Sequence, residues 1–530
     1  MAELSPPAAG AANRDASPEL PPRTVGVIDI GATSMRMAIA EIRGDGSVHP
    51  LDALVQPVSL GKDAFTTRRF RRSSIEECAR VLQSYQRVLR EYGIAADQLR
   101  VVATSAVREA TNRLSFLDRM YIATGIQVEA IDEAEVHRIT YMGIQPHLDR
   151  DPALASAKGV VVEVGGGSTE MLVIRGGNVL FSDTYRLGSL RLAQTLRSLG
   201  APASKRRALM ESQIRRTVAR IREEVRVDTR IELIAIGGDI RFAARQLLGD
   251  WDPDTLARLD VAGLQTLVPQ VLRRSVDELV QRYGISFAEA ETLGPALLTY
   301  LMLARGFELD QILVSGTNLR DGLLHDMAAR EGWTAEFRNQ IVRSAISLGR
   351  KFEFDETHAR HVAHLASKLF FELSDEHQLD HRYEVILFVA ALLHEVGLFV
   401  NVRSNHKHAM YLIRNSEIFG LSRQDLLIVA LLARYHRRAF PQPSHEGYGT
   451  LDRDQRVVVA KLAAILRLAI ALDESRSGRV KEVRCRRERE RMVIQIPAVD
   501  DVSLEQLAMR QNAGLFEEVF GVAILLRSGK

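Results

Sequence analysis

VGVIDIGATSMRMAI, Val25 to Ile39, and VVVEVGGGSTEMLVI, Val160 to Ile174, are written to one plan. In each, an apolar run reaches a carboxylate (Asp29, Glu163) and breaks at glycine (Gly31; Gly165, Gly166, Gly167). Hydroxyl residues follow (Thr33, Ser34; Ser168, Thr169), and then a second apolar run. The pattern reads as strand, loop, strand. Glycine lets successive backbone N–H groups converge on an anion, the hydroxyls add donors, and the acid can hold a hydrated magnesium ion against a phosphate. These are not Walker loops, because no Gly-Lys-Ser/Thr occurs, nor Rossmann fingerprints, which need a helix directly after the glycines. Hairpin turn chemistry would explain one such loop. Two matching loops, a subdomain apart, point to a phosphate cleft between repeated halves.

The 530 residues are enough for about three or four domains. Residues 1–22 are rich in Ala and Pro without a continuous apolar stretch, so the reading there is a disordered tail rather than a signal peptide. Residues 23–150 give a hairpin, a long helix from Ser74 to Glu91, a strand at Arg100–Ala103, and further helices. Residues 151–330 repeat the plan with a hairpin, helices through Val225, a strand at Ile231–Ile236 and an amphipathic helix from Ser286. That unit ends in QILVSGTNLRDGLL, a strand turning through Gly316 into a helix. Residues 331–478 read as almost continuous helix, with histidines at 358, 361, 364, 377, 381, 394, 406, 408 and 436. In residues 479–530, VKEVRCR and RMVIQIP alternate like two strands, and a helix over SLEQLAMRQNAGLFEEVFG completes a small α/β unit.

Composition narrows the function classes. Hydrophobic residues at 46% and charged residues at 26% allow full cores, and a formal net charge of +3 does not argue for nucleic acid. Cys78 and Cys485, the only cysteines, make neither a disulfide framework nor a thiolate metal site. No segment reaches the roughly 18 uninterrupted apolar residues of a membrane helix. The expectation is a cytoplasmic protein that binds neither membrane nor nucleic acid.

Several stretches in order, DIGATSMRM at Asp29, ATSAVREA at Ala103, EVGGGSTE at Glu163, GGDIRFAA at Gly237 and SGTNLRDGLL at Ser315, resemble the exopolyphosphatase and guanosine pentaphosphate phosphatase (Ppx/GppA) family. ALLHEVGLFVN, HKHAMYLI and ARYHRRA are similar to that family's C-terminal region, which is related to HD hydrolases. The resemblance implies an α/β fold with two actin-like (ribonuclease H-like, ASKHA) subdomains around a phosphate cleft. An all-helical HD-like domain and a small C-terminal α/β appendage would follow. It implies hydrolysis of terminal phosphate from inorganic polyphosphate, or of the 5′ γ-phosphate of pppGpp, by a magnesium-assisted water, in a homodimer. Carried over residue by residue, Asp29 and Glu163 would bind Mg2+. The amides and hydroxyls of Gly31, Thr33, Ser34 and of Gly165, Gly166, Gly167, Ser168 and Thr169 would cradle phosphates. Arg108 would pair with a phosphate oxygen, and Gly237 and Gly238 would close the second wall of the cleft.

The match fails at one chemical position. Where the family carries Ile-Ser-Gly-x-Glu-Glu-Ala-Arg, with the second glutamate as general base, this chain reads IDEAEVHR from Ile131 to Arg138. Val136 stands at the base position and cannot accept a proton. Glu135 lies about 100° around a helix from it. Glu133 and Glu135 are therefore the candidate replacement bases. Asp239 adds negative charge where a polyanion should bind. In the helical region, His358 and His394 fill the two histidine positions of an HD site, but Glu395 replaces its aspartate and Ile470 occupies the late metal position, which argues against metal. Asp473 lies one helical turn further on. The other histidine-rich segments, with Arg434, His436, Arg437 and Arg438, read as domain packing and as a basic face for a long polyanion. The rival to a hydrolase is a catalytically weak sensor that binds polyphosphate or guanosine nucleotides. A kinase would need an adenosine pocket that the sequence does not reveal.

Overall fold

The computed structural model describes residues 21–151, 154, 157–198, 200, 203–225, 230–329, 335–497, 499 and 501–529. The expected disordered tail lies almost wholly outside them, as does the boundary expected at 330/331. Strands β1 (Arg23–Ile30), β2 (Ser34–Ile42), β3 (Val48–Pro57), β4 (Leu99–Ala103) and β5 (Glu129–Ala130) form a sheet in the order β3-β2-β1-β4-β5. Strands β6 (Lys158–Val164), β7 (Thr169–Arg175), β8 (Asn178–Tyr185), β9 (Ile231–Ile236), β10 (Ala257–Asp260) and β11 (Gln311–Val314) form a second, ordered β10-β11-β9-β6-β7-β8. Both sheets use one connectivity: an antiparallel hairpin whose first strand then pairs in parallel with a later strand, β1 with β4 and β6 with β9.

β1 and β6 are central strands covered on both faces, which is why their sequences run apolar rather than alternate. On β1, Ile28 and Ile30 join a core with Leu82 and Tyr85 of the Arg72–Glu91 helix. Val25 and Val27 join another with Ile139, Leu319 and Leu323. Chain order would assign the Leu319–Ala328 helix to the second half, yet its apolar side is buried against the first sheet. The Phe287–Gly306 helix, expected to be amphipathic from Ser286, starts there on a Ser286 capping box but is buried on nearly all sides from Ala290 to Ala304. It needs no polar face because helices Ala203–Val225, Gly238–Leu248 and Val261–Arg273 enclose it.

Helices Ala335–Lys351, Glu356–Glu372, Arg382–Leu393, Asn405–Arg414, Arg423–Tyr435 and Arg453–Ala471 build the helical region. Its core is continuous with the second sheet: Val161, Ile234 and Leu313 share one apolar cluster with Tyr141, Ile144, Phe337 and Ile341. At the C-terminal end, β12 (Arg484–Glu488) and β13 (Arg491–Pro497) form the expected hairpin. The expected single helix is two, Ser503–Asn512 and Gly514–Phe520, and a strand the sequence reading missed, β14 (Ala523–Gly529), pairs in parallel with β13. Among the described residues, no helix is long and apolar enough to cross a membrane.

Candidate active site

Asp29 and Glu163 occupy the same place in the two halves, two residues before the loop at the C-terminal end of the central strand. Both loops close with the same bond, Gly31 N donating to Ser34 O at 3.0 Å and Gly165 N to Ser168 O at 2.9 Å. They face each other across a cleft of about 570 Å³. Its lining includes Asp29, Gly31, Thr33, Ser34, Arg108, Glu163, Gly165, Gly166, Ser168, Gly237 and Gly238, which the structure thus brings together. Gly167 and Thr169 sit behind the wall. Thr169 Oγ1 donates to Leu187 O and is fully buried. Arg191 stacks on Phe65 and donates to Gly167 O at 2.6 Å, which braces the loop from outside. Gly237 has φ +120°, a conformation that excludes side chains, and it opens the Gly238–Leu248 helix toward the cleft.

Charge in this cleft is mixed. Register sets Asp29 opposite Arg36 and Glu163 opposite Glu170. Asp29 shares the β1 face that packs on the Leu319–Ala328 helix, so it also meets Arg320; each guanidinium stands 3.9 Å from its carboxylate. Burial pushes the Asp29 carboxyl above its ordinary range against these two arginines. Burial, then the charges of Asp29 and Glu170, push Glu163 up as well. Glu170 goes the other way: burial would raise it, but the His137 ring at 3.1 Å and the Thr184 and Ser168 hydroxyls hold it below the usual range. Arg36, Arg108, Arg241, Arg245 and Arg320 also line the cleft. An anion alone would meet buried acids there, and a cation alone would meet arginines; an anion carrying a cation suits both.

Two buried oxygens, Asp29 Oδ1 and Ser34 Oγ, have no hydrogen-bond partner. Leaving such atoms unpaired costs about 1–3 kcal/mol each. An all-oxygen set around buried acids matches the preference of magnesium, so Asp29 and Glu163 fit that ion as holders, directly or through water.

The candidate replacement bases are placed elsewhere. Glu135 is outside the cleft lining and is clamped by Arg138 at 2.7 Å and Arg100 at 2.8 Å. Asp326 completes this ion cluster with Arg138 at 2.6 Å. Burial opposes its charge, but the Arg138 and Arg100 guanidinium groups outweigh that and bring Glu135 down to about 2. A carboxylate so held is a poor proton acceptor at neutral pH. Glu133 stands between Arg108 at 3.5 Å and Arg423 of the helical region at 3.3 Å. Val136 itself lines the cleft and is 5% exposed. Glu170, which the sequence reading passed over, does line the cleft. Its signal was present: in a hairpin closing at Gly165–Ser168, Glu170 falls opposite Glu163. Arg320 carried no such local signal, because only the packing of its helix across the halves brings it to Asp29. His436, read as part of a basic face, is buried and donates from Nδ1 to Ala433 O.

Two α/β halves of one topology, with glycine loops facing across a cleft, define the actin-like class of phosphoryl-handling proteins. A model of the Ppx/GppA phosphatase family matches residues 38–331, and one of Ppx/GppA phosphatase domain III matches residues 342–513. The chain belongs to the Ppx/GppA phosphatase family. An exopolyphosphatase from Cytophaga hutchinsonii is similar over 58% of this chain and 98% of its own, at 20% identity and TM-score 0.53. An exopolyphosphatase-like protein is similar over the same shares at 22% identity and TM-score 0.51. At these identities the likeness is one of fold.

Proposed function

We propose that the protein hydrolyses the terminal phosphoanhydride of inorganic polyphosphate with magnesium, and that pppGpp is a second substrate. The observation that carries this reading is the pair of facing loops with orphaned, buried Asp29 and Ser34 oxygens between them. When bound, the ion supplies charge neutralisation at the transferring phosphate. Asp29 and Glu163 hold it, and the amides of the Gly31–Ser34 and Gly165–Ser168 loops take the terminal phosphates. Arg108 pairs with a phosphate oxygen through its planar fork. Glu170, fixed by His137, Thr184 and Ser168, orients the attacking water. We place the protein in the cytoplasm, following its composition, and as a homodimer, following the family resemblance.

Phosphate release from long-chain polyphosphate and from pppGpp by the purified protein with magnesium tests the reading. Turnover is expected with polyphosphate, reduced about 10²-fold or more in Glu170→Gln, the scale of a lost water-positioning group. Val136 in the cleft wall favours the second reading, a sensor. Polyanion binding that is lost in Arg108→Ala, with no turnover in the wild type, would establish that instead.

Asp239 gives the cleft a pH signature. Burial, with the Glu289 charge adding to it, raises its carboxyl to about 7 despite a hydrogen bond from Thr292 and the nearby Arg36 and Arg241. Neutral below that value and charged above it, Asp239 repels a polyanion only on the alkaline side. Affinity for polyphosphate therefore falls as pH rises through about 7. The expected drop is about tenfold, the effect of one charge roughly 10 Å away in an effective dielectric near 20. Binding measured from about pH 6 to pH 8 in Asp239→Asn should lack this step, and an identical slope in both proteins would refute it.

A further inference from the structure

The helical region holds a second convergence of chemistry-bearing side chains. His358 lies in the first turn of the Glu356–Glu372 helix, His394 caps the end of Arg382–Leu393, and Glu395 follows it. Potential ligand atoms of these three residues lie within 4.8 Å of one another. His358 and His394 are 7% and 1% exposed.

The surrounding bonds fix which ring nitrogens face inward. His394 Nδ1 is 2.7 Å from Ala391 O, and a carbonyl only accepts, so Nδ1 carries the proton. Its Nε2 is then the lone-pair nitrogen, and it is buried without a partner. His358 Nδ1 donates in the same way to Asp473 Oδ2 at 2.8 Å, while Asp473 Oδ1 is held by Gly478 N at 3.0 Å. Glu395 gives Oε1 to Arg476 at 2.5 Å, leaving Oε2 4.0 Å from His358 Nε2. Two imidazole nitrogens and a carboxylate oxygen thus share one buried space. Donors each about 2.0–2.2 Å from a tetrahedral ion stand about 3.3–3.6 Å apart, so a bound ion would draw these atoms inward by about an ångström or less.

We propose that His358, His394 and Glu395 form a mononuclear site for a first-row divalent cation of the zinc or manganese class, separate from the oxygen-lined cleft. Imidazole nitrogen selects such ions over magnesium. Asp473 is the outer partner that orients His358, and Ala391 O does the same for His394, the arrangement that fixes tautomers at histidine metal sites. The apolar Ile470, which argued against metal in the sequence, is not needed as a ligand. Asp473 acts one step behind the ion.

Cobalt is the probe, because its visible absorption reports nitrogen coordination. Full-length protein, stripped with chelator, should bind one equivalent of Co2+ with a visible band that Zn2+ removes and excess Mg2+ does not. The band should persist in Asp29→Asn, which separates this site from the cleft. In Glu395→Gln the Co2+ affinity should fall about tenfold or more while the metal-free melting temperature stays at the wild-type value. His358→Gln should behave likewise. No band in the wild-type protein at micromolar cobalt overturns the proposal whatever the variants do. So does a band that disappears in Asp29→Asn or is unchanged in both Glu395→Gln and His358→Gln.

Discussion

Asp29→Asn should lower phosphate release by about 10³-fold while the protein stays folded. The change is isosteric and removes one charge from the pair of acids proposed to hold the ion. Losing that anchor forfeits several kcal/mol of charge stabilisation at the transferring phosphate, and each 1.4 kcal/mol is a factor of ten in rate. Stability should move the other way. Burial raises the Asp29 carboxyl, so the folded state takes up its proton more readily than the unfolded chain. Stability from this group is greatest at low pH and declines as pH rises through and above the usual carboxylate range, where the folded protein must carry a buried charge. The amide has no such penalty, so the variant's melting temperature at pH 8 should equal or exceed that of the wild type. Polyphosphate binding should persist, because Arg36 and Arg320, each 3.9 Å from Asp29, lose the carboxylate that competes for them. Initial rates at saturating magnesium, melting temperature and polyphosphate affinity, measured together, separate these effects. A rate within tenfold of wild type would remove Asp29 from the chemistry. A collapse in stability would make it a structural residue.

The repeat behind this prediction was legible because its cause is local. Apolar run, acid, glycine and hydroxyl specify strand, carboxylate and turn within fifteen residues, and each half does so independently. What the sequence hid was tertiary. Glu170 becomes a cleft residue only when hairpin register sets it opposite Glu163. Arg320 reaches Asp29 only because its helix crosses to the first sheet. Glu135 looked available in a linear reading, and the two guanidinium groups that disable it come from its own helix and from β4, both held in turn by Asp326 of the helix that crosses over. The small β14 escaped because its parallel partner lies across two intervening helices, beyond the reach of any hairpin signal. In the helical region, counting ligands by register put weight on Ile470, whereas the fold brings Asp473 onto His358.

Gly188→Ala should destabilise the protein by about 3 kcal/mol, the upper end for overpacking, and cost about 10²-fold in activity. Gly188 appears in no motif that the sequence reading singled out, yet a methyl group there would lie far inside van der Waals contact of the Gly167 carbonyl carbon and the Gly166 carbonyl oxygen. Those are backbone atoms of the Gly165–Ser168 loop and cannot rotate away as a side chain would. The loop is pinned on its other sides: Ser189 N donates to Gly165 O, Arg191 N to Gly166 O, and the Arg191 side chain to Gly167 O. Relief therefore requires displacing the loop or breaking these bonds, and a shift of about 1 Å in a positioned group is enough for the loss of rate given above. Gly238→Ala is the contrast. It sits in a quoted motif and lines the cleft, but a methyl group there meets nothing within 4 Å, and its backbone is ordinary helix. Alanine is favoured over glycine by up to about 1 kcal/mol in a helix interior and by less at its first residue, so this variant should be as stable as the wild type or slightly more so. Denaturant midpoints for the two variants, with phosphate release from polyphosphate, check the pair. Equal stability of both would mean that the loop yields to Gly188→Ala without cost, and the rigid cradle proposed at Gly165–Ser168 would fall with it.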